Sequence, residues 1–113
     1  MSNDFAWLGA AEIAALIRDR KVSALEVMQA TLARAEKVQA ALNCFITICA
    51  GEALRDARAA DDAIARGEPV GPLHGVPLHV KDLVNTKGVR TTFASHIYAD
   101  NIPGADAVSV ARL

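Results

Sequence analysis

Between Gly67 and Phe93 the chain contains no alanine, although alanine supplies 23 of its 113 residues. Up to Arg66, small apolar side chains recur at helical spacing; beyond it, glycine, proline, valine and threonine impose turns and extended backbone. The chain must therefore join a helical half to a punctuated one. Its length suits one domain, 1–113, and with 52% hydrophobic but only five aromatic residues its apolar surface is made of small groups. Such helices pack closely onto something larger, so the chain is expected not to complete its core alone.

Gly9 followed by Glu12, with Ile13, Leu16 and Ile17 at i, i+3, i+4, predicts a helix over 10–19. Ser23 and Glu26 form a capping-box pair, so a second helix starts at Ala24, its stripe being Leu25, Met28, Leu32, Ala35 and Val38. A third runs from Gly51 with Leu54, Ala57, Ala60 and Ile64 on one side, stopped by Gly67 and Pro69. Arg55, Asp56 and Arg58 then lie on a solvated face.

Two runs predict strands. "NCFITI", 43–48, is β-branched and aromatic, and Leu78 to Val84 alternates between two apolar faces as a covered interior strand does. Residues 67–95 form the segment of that second strand and its following loop, with a turn at Gly88 and a short extended piece from Val89 to Phe93. "PGADAVSVARL" starts a further helix with Gly104 or Asp106 near its cap, and no C-cap follows, so further residues are expected after Leu113. The order of elements predicts an α/β layer arrangement.

Twelve basic and thirteen acidic side chains give a net charge of -1, which removes the electrostatic argument for direct nucleic-acid or membrane binding. Small neutral partners stay open, and the oligomeric state is not encoded visibly. The opening "MSNDFAWLGA" lacks the basic start and apolar stretch of a secretory signal, so a cytoplasmic protein is expected. Cys44 and Cys49 then read as reduced, buried thiols. His74, His79 and His96 have no metal-ligand spacing, no phosphate-binding glycine motif occurs, and Ser95 and Ser109 lie outside any nucleophile elbow. Neither metal nor organic cofactor is implied.

Lys81 stands apart, because the predicted strand would hold it partly desolvated. "GPLHGVPLHVKD" followed by "TKGVRTTFAS" resembles the amidase signature family at the segment carrying its catalytic lysine. Gly75, Pro77, Lys81, Asp82, Gly88, Thr91, Thr92 and Ser95 stand where that family's G-x-P-x-x-x-K-D and T-T-x-x-S pattern places them. His79 occupies a place more often small or apolar, and Ala94 one where glycine is common. The resemblance covers essentially the whole chain as the N-terminal part of a family member, and implies the helices and first strands of a mixed sheet covered by helices.

The resemblance also implies amide hydrolysis through a Ser-cisSer-Lys triad acting on a small-molecule amide. Lys81 would be the general base and later general acid, with Gly75, Pro77, Asp82, Thr92 and Ser95 supporting the site. Both serines of the triad would lie downstream of Leu113, leaving the chain inactive by itself. A lysine works as a base only when neutral, which burial favours by penalising the charged form. Asp82, next along the strand, would face the other way and fix the loop that follows. Two alternatives accompany this expectation: an amidotransferase A subunit with a glutaminase role in tRNA-dependent amidation, and a non-catalytic remnant or interaction module.

Overall fold

Short-range caps start the first two helices. In the computed structural model, which describes residues 4–113, the Gly9 N–H donates to the Glu12 carboxylate at 2.7 Å and opens α1, Ala10–Arg18. The Ser23 hydroxyl accepts the Glu26 N–H at 3.0 Å while the Glu26 carboxylate accepts the Ser23 N–H at 2.9 Å. This reciprocal box opens α2, Ala24–Leu42. The Ser23 N–H and the Ser23 hydroxyl, each donating to the Glu26 carboxylate at 2.9 Å, hold that carboxyl below its ordinary pKa. After α3, Ala50–Ala65, the last elements are a 3-10 turn at His96–Tyr98 and α4, Val108–Ala111; a first 3-10 turn, Phe5–Trp7, precedes α1.

The described residues divide into two compact units, one running to Cys44 and resuming over Ala50–Pro77, the other comprising Phe45–Cys49 and Leu78–Leu113. In the first, α2 packs along α3 and against the first 3-10 turn. Ile13, Ile17, Ala24, Val27 and Ala57 form the core, with Phe5, Val22, Met28, Ala60, Ile64 and Val76 around it. The stripe predicted for α2 is half-buried at all five positions, while Arg55, Asp56 and Arg58 of α3 are exposed.

Two further contacts lock this unit. The Asp61 carboxylate on α3 accepts the N–H groups of Ala24 and Leu25 at 2.7 and 3.1 Å, satisfying orphan donors at the start of α2 that the Ser23–Glu26 box leaves open. One turn further along α3, in its last turn, the Arg20 guanidinium donates to the Ile64 carbonyl at 3.0 Å. Gly75 then passes so close to α1 and α2 that a Cβ there would lie 3.0 Å from Ala24 Cβ and 3.3 Å from Ile17, at φ +79°.

Neither predicted strand forms, and the described residues contain helices and turns but no strand. The α/β sheet expected from the sequence is corrected to a helical unit followed by an irregular one. The physical reason is that β-branched chemistry makes a residue fit a strand, but a strand exists only as one side of a hydrogen-bonded ladder. Among the described residues neither 43–48 nor 78–84 is a strand. Cys44, inside the first run, and Cys49, directly after it, are exposed free thiols rather than buried ones. The chain reaches α4 through Ala107 as N-cap, since the Asp106 carboxylate is engaged elsewhere, accepting the Lys87 N–H at 2.6 Å.

Gly75→Ala is expected to destabilise the first unit by about 2–4 kcal/mol, combining roughly 1–2 kcal/mol for a left-handed alanine with the overpacking of a methyl group against Ala24 and Ile17. Urea unfolding followed by helical circular dichroism measures it.

Candidate functional site

The second unit is organised by polar groups. Its buried residues are Thr91, Thr92 and Pro103, so hydrogen bonds rather than a hydrophobic core decide its shape. Lys81 and Asp82 enter it from Leu78. The Lys81 carbonyl accepts the Val84 N–H at 2.9 Å, and this turn stops the alternating run that looked like a strand. Leu78 and Leu83 are consequently 57% and 52% exposed. Lys81 is exposed as well, not partly desolvated as a covered strand would have made it, and none of the ion pairs among the described residues involves it.

Asp82 gathers the loop that follows. Its carboxylate accepts the Thr92 N–H at 2.7 Å, the Thr92 hydroxyl in a short contact, and the Ala94 N–H at 3.5 Å. Its backbone carbonyl accepts the Phe93 N–H at 3.0 Å. The Thr92 hydroxyl bond, then the Thr92 amide, hold the Asp82 carboxyl below its ordinary pKa, with smaller help from the Ala94 amide and the Arg90 charge.

The bonds from residues 92–94 to Asp82 enclose a left-handed turn, Phe93 and Ala94 both at φ +53°. A left-handed conformation costs a non-glycine residue roughly 1–2 kcal/mol, so this pair persists because its surroundings hold it there. The glycine common at position 94 in the resembled family has its physical explanation in that angle. Ser95 follows: its N–H donates to the Thr92 carbonyl at 2.9 Å, and its hydroxyl accepts the Ile97 N–H at 3.3 Å, starting the second 3-10 turn.

Of the sequence-predicted site residues, Asp82 and Thr92 meet directly and Ser95 joins them through the Thr92 backbone. Gly75 and Pro77 belong to the first unit, whereas Lys81, Asp82, Thr92 and Ser95 belong to the second. His74 lies in the first unit, its Nε2 at 2.9 Å from the Ala60 carbonyl; His79 is exposed, and His96 begins a 3-10 turn. Among the described residues no three His, Cys, Asp or Glu side chains converge on a point, and no helix is long and apolar enough to cross a membrane.

The structure adds residues the sequence reading passed over. Phe93 and Tyr98 meet edge to face at 5.3 Å and 74°. They line a depression of about 750 Å3 with Asn85, Asn101, Pro103 and Gly104. Arg90 Nε donates to the Ala99 carbonyl, and Asn101 brackets Thr91. These contacts span nine or ten residues of loop, where no periodicity or local cap signals them.

A family model described as Amidase matches residues 26–113. The A subunit of the glutamyl-tRNA(Gln) amidotransferase of Carboxydothermus hydrogenoformans is 42% identical over 107 residues, 95% of this chain and 22% of that protein. Its counterpart in Geotalea daltonii is 47% identical over 97 residues, 86% of this chain and 20% of that protein. A solved chain described with "an unexpected vestigial protein complex" and the evolutionary origins of an s-triazine catabolic enzyme is 34% identical at a TM-score of 0.86. That match covers 93% of this chain and 23% of the solved one. The present chain thus spans about a fifth of the length of the relatives it matches.

Two outcomes are expected at this loop. Ala94→Gly relieves one left-handed alanine and stabilises the second unit by about 0.5–1 kcal/mol once the extra flexibility of unfolded glycine is subtracted; slower amide exchange across 86–101 measures the gain. Because the folded Asp82 pKa lies below the unfolded one, its contribution is complete above the unfolded carboxyl's value of about 3.9 and is lost as pH falls through the lower folded value. The Thr92 amide resonance should hold steady from neutral pH to about 5 and move only in the acid range below about 4.

Proposed function

The chain belongs to the amidase family, and from that premise we propose that it is the N-terminal segment of an amide-bond hydrolase in which Lys81 serves as the acid–base group of a Ser-cisSer-Lys triad. The observation that carries the reading is that the family match spans the Lys81 segment itself. The local fixing of that segment by Asp82 and Thr92 also supports it, because acid–base catalysis demands a positioned group rather than a free one. Gly75 and Pro77 precede the lysine in the matched motif, and Ser95 closes the loop beyond it.

In this mechanism the neutral Lys81 amine takes a proton from a bridging serine as that serine takes one from the nucleophile. The nucleophilic oxygen attacks the amide carbonyl, forming a C–O bond. The resulting ammonium then returns its proton, through the bridging serine, to the nitrogen of the breaking C–N bond. Lys81 is exposed in this chain, so the mechanism requires the remaining length of the polypeptide to supply both serines and to exclude water from the amine. The substrate is a small-molecule amide and no cofactor is required.

A glutaminase role within a multi-subunit amidotransferase is a second reading, favoured by the 42–47% identity to amidotransferase A subunits. On that reading glutamine is the preferred amide.

Replacing the corresponding first fifth of the Carboxydothermus hydrogenoformans protein with this chain tests the role of Lys81. The chimaera is expected to release ammonia from glutamine, and Lys81→Ala to lower turnover by about 10²–10⁴ or more with unchanged circular dichroism. Near-normal turnover in the folded variant would refute the role. The 113-residue chain alone should hydrolyse no amide, and hydrolysis that vanishes on Ser95→Ala would contradict the assignment of the nucleophile elsewhere.

A further inference from the structure

Asn101 belongs to no motif, yet it binds both backbone polar atoms of Thr91. Its carbonyl accepts the Thr91 N–H at 2.9 Å, and its side-chain Nδ2 donates to the Thr91 carbonyl at 3.0 Å. Thr91 is 3% exposed, and its hydroxyl donates to the Val89 carbonyl at 3.1 Å. One residue on, Thr92 gives its N–H and hydroxyl to Asp82, the neighbour of Lys81 in the chain. The contacts form an unbroken series from Asn101 through Thr91, Thr92 and Asp82 to the backbone of Lys81.

We infer that Asn101 is a positioning residue for the Lys81 segment: by fixing Thr91 it fixes the direction in which Thr92 presents two donors to Asp82. A buried carbonyl without a donor is costly, so removing Nδ2 drives the Thr91 peptide to turn toward water. Thr92 turns with it, and the N–H and hydroxyl that converge on one carboxylate no longer do so. The significance for catalysis rests on the reading of Lys81 given above, whereas the linkage itself is independent of it.

The same depression supplies a matched comparison. Asn85 also lines it, but joins the hydrogen-bond network through its backbone carbonyl, which accepts the Ala107 N–H at 2.9 Å. Asn85→Ala and Asn101→Ala therefore remove the same amide group from the same unit, and neither alters a charge. Arg90, the charged side chain felt by Asp82, is retained in both.

The test is a carbon-13 NMR titration of the Asp82 carboxyl in the 113-residue chain, with the helical signals of the first unit reporting the fold. Asn101→Ala is expected to raise the Asp82 midpoint toward the ordinary carboxyl value and to speed Thr92 amide exchange about tenfold, the factor that follows from losing one hydrogen bond. Asn85→Ala should change neither. Equal effects in both variants, or no effect of Asn101→Ala, would overturn the inference. Should Asn101→Ala unfold the second unit, Asn101→Ser decides: a raised midpoint in the folded variant supports the linkage, and an unchanged one overturns it. No catalysis is read out, so a failed linkage and an inert Lys81 give different results.

Discussion

One carboxylate holds the loop that follows Lys81 in place. Asp82 accepts the Thr92 amide and hydroxyl and the Ala94 amide, while its own carbonyl accepts the Phe93 amide. Together with the Ser95 N–H on the Thr92 carbonyl, those bonds keep Phe93 and Ala94 left-handed where the buried residues are two threonines and a proline rather than an apolar core. A charge-assisted bond is roughly twice as strong as a neutral one, which suits a loop that has little hydrophobic burial to rely on. The residue before this carboxylate is Lys81, so the device that shapes the loop also sets the backbone from which the lysine extends.

The first unit uses the same chemistry differently. Asp61 reaches from α3 to the first two amides of α2, and Glu26 reaches back to Ser23. There a carboxylate completes a helix whose other face is already buried by Ile17 and Val27, both 1% exposed or less. In one unit the carboxylates finish a hydrophobic structure; in the other they constitute it. Gly75 shows what the first arrangement demands of the backbone, because a methyl group there would sit at φ +79° and fit only if Ala24 or Ile17 gave way.

What the sequence disclosed follows from the range of the interactions concerned. The three long helices were legible because their determinants lie within four residues: the Ser23–Glu26 box, the stripe from Leu25 to Val38, and Gly67 at the end of α3. The turn at Gly88 was legible for the same reason. The strands were misread because residue type states only a fitness for pairing, and neither 43–48 nor 78–84 is a strand among the described residues. The expected cover over Lys81 failed with the strand. Asp61 and Asn101 were invisible, their partners lying 37 and 10 residues away with no spacing to betray them. Ala94 could be flagged only as a departure from a resembled motif, and its φ of +53° supplies the reason glycine suits that place.

The chain belongs to the amidase family, and the proposal for Lys81 asks one thing of it: that the lysine leave the backbone from a defined place. Amide hydrogen exchange in the unaltered protein at neutral pH measures that directly. The account predicts that the Thr92 and Phe93 amides, bound to Asp82, exchange on the order of a hundredfold more slowly than those of Thr47 and Ile48 in the exposed run between α2 and α3. Exchange at the same rate in both places would mean that Asp82 does not hold the loop and that the Lys81 segment is not fixed by this chain.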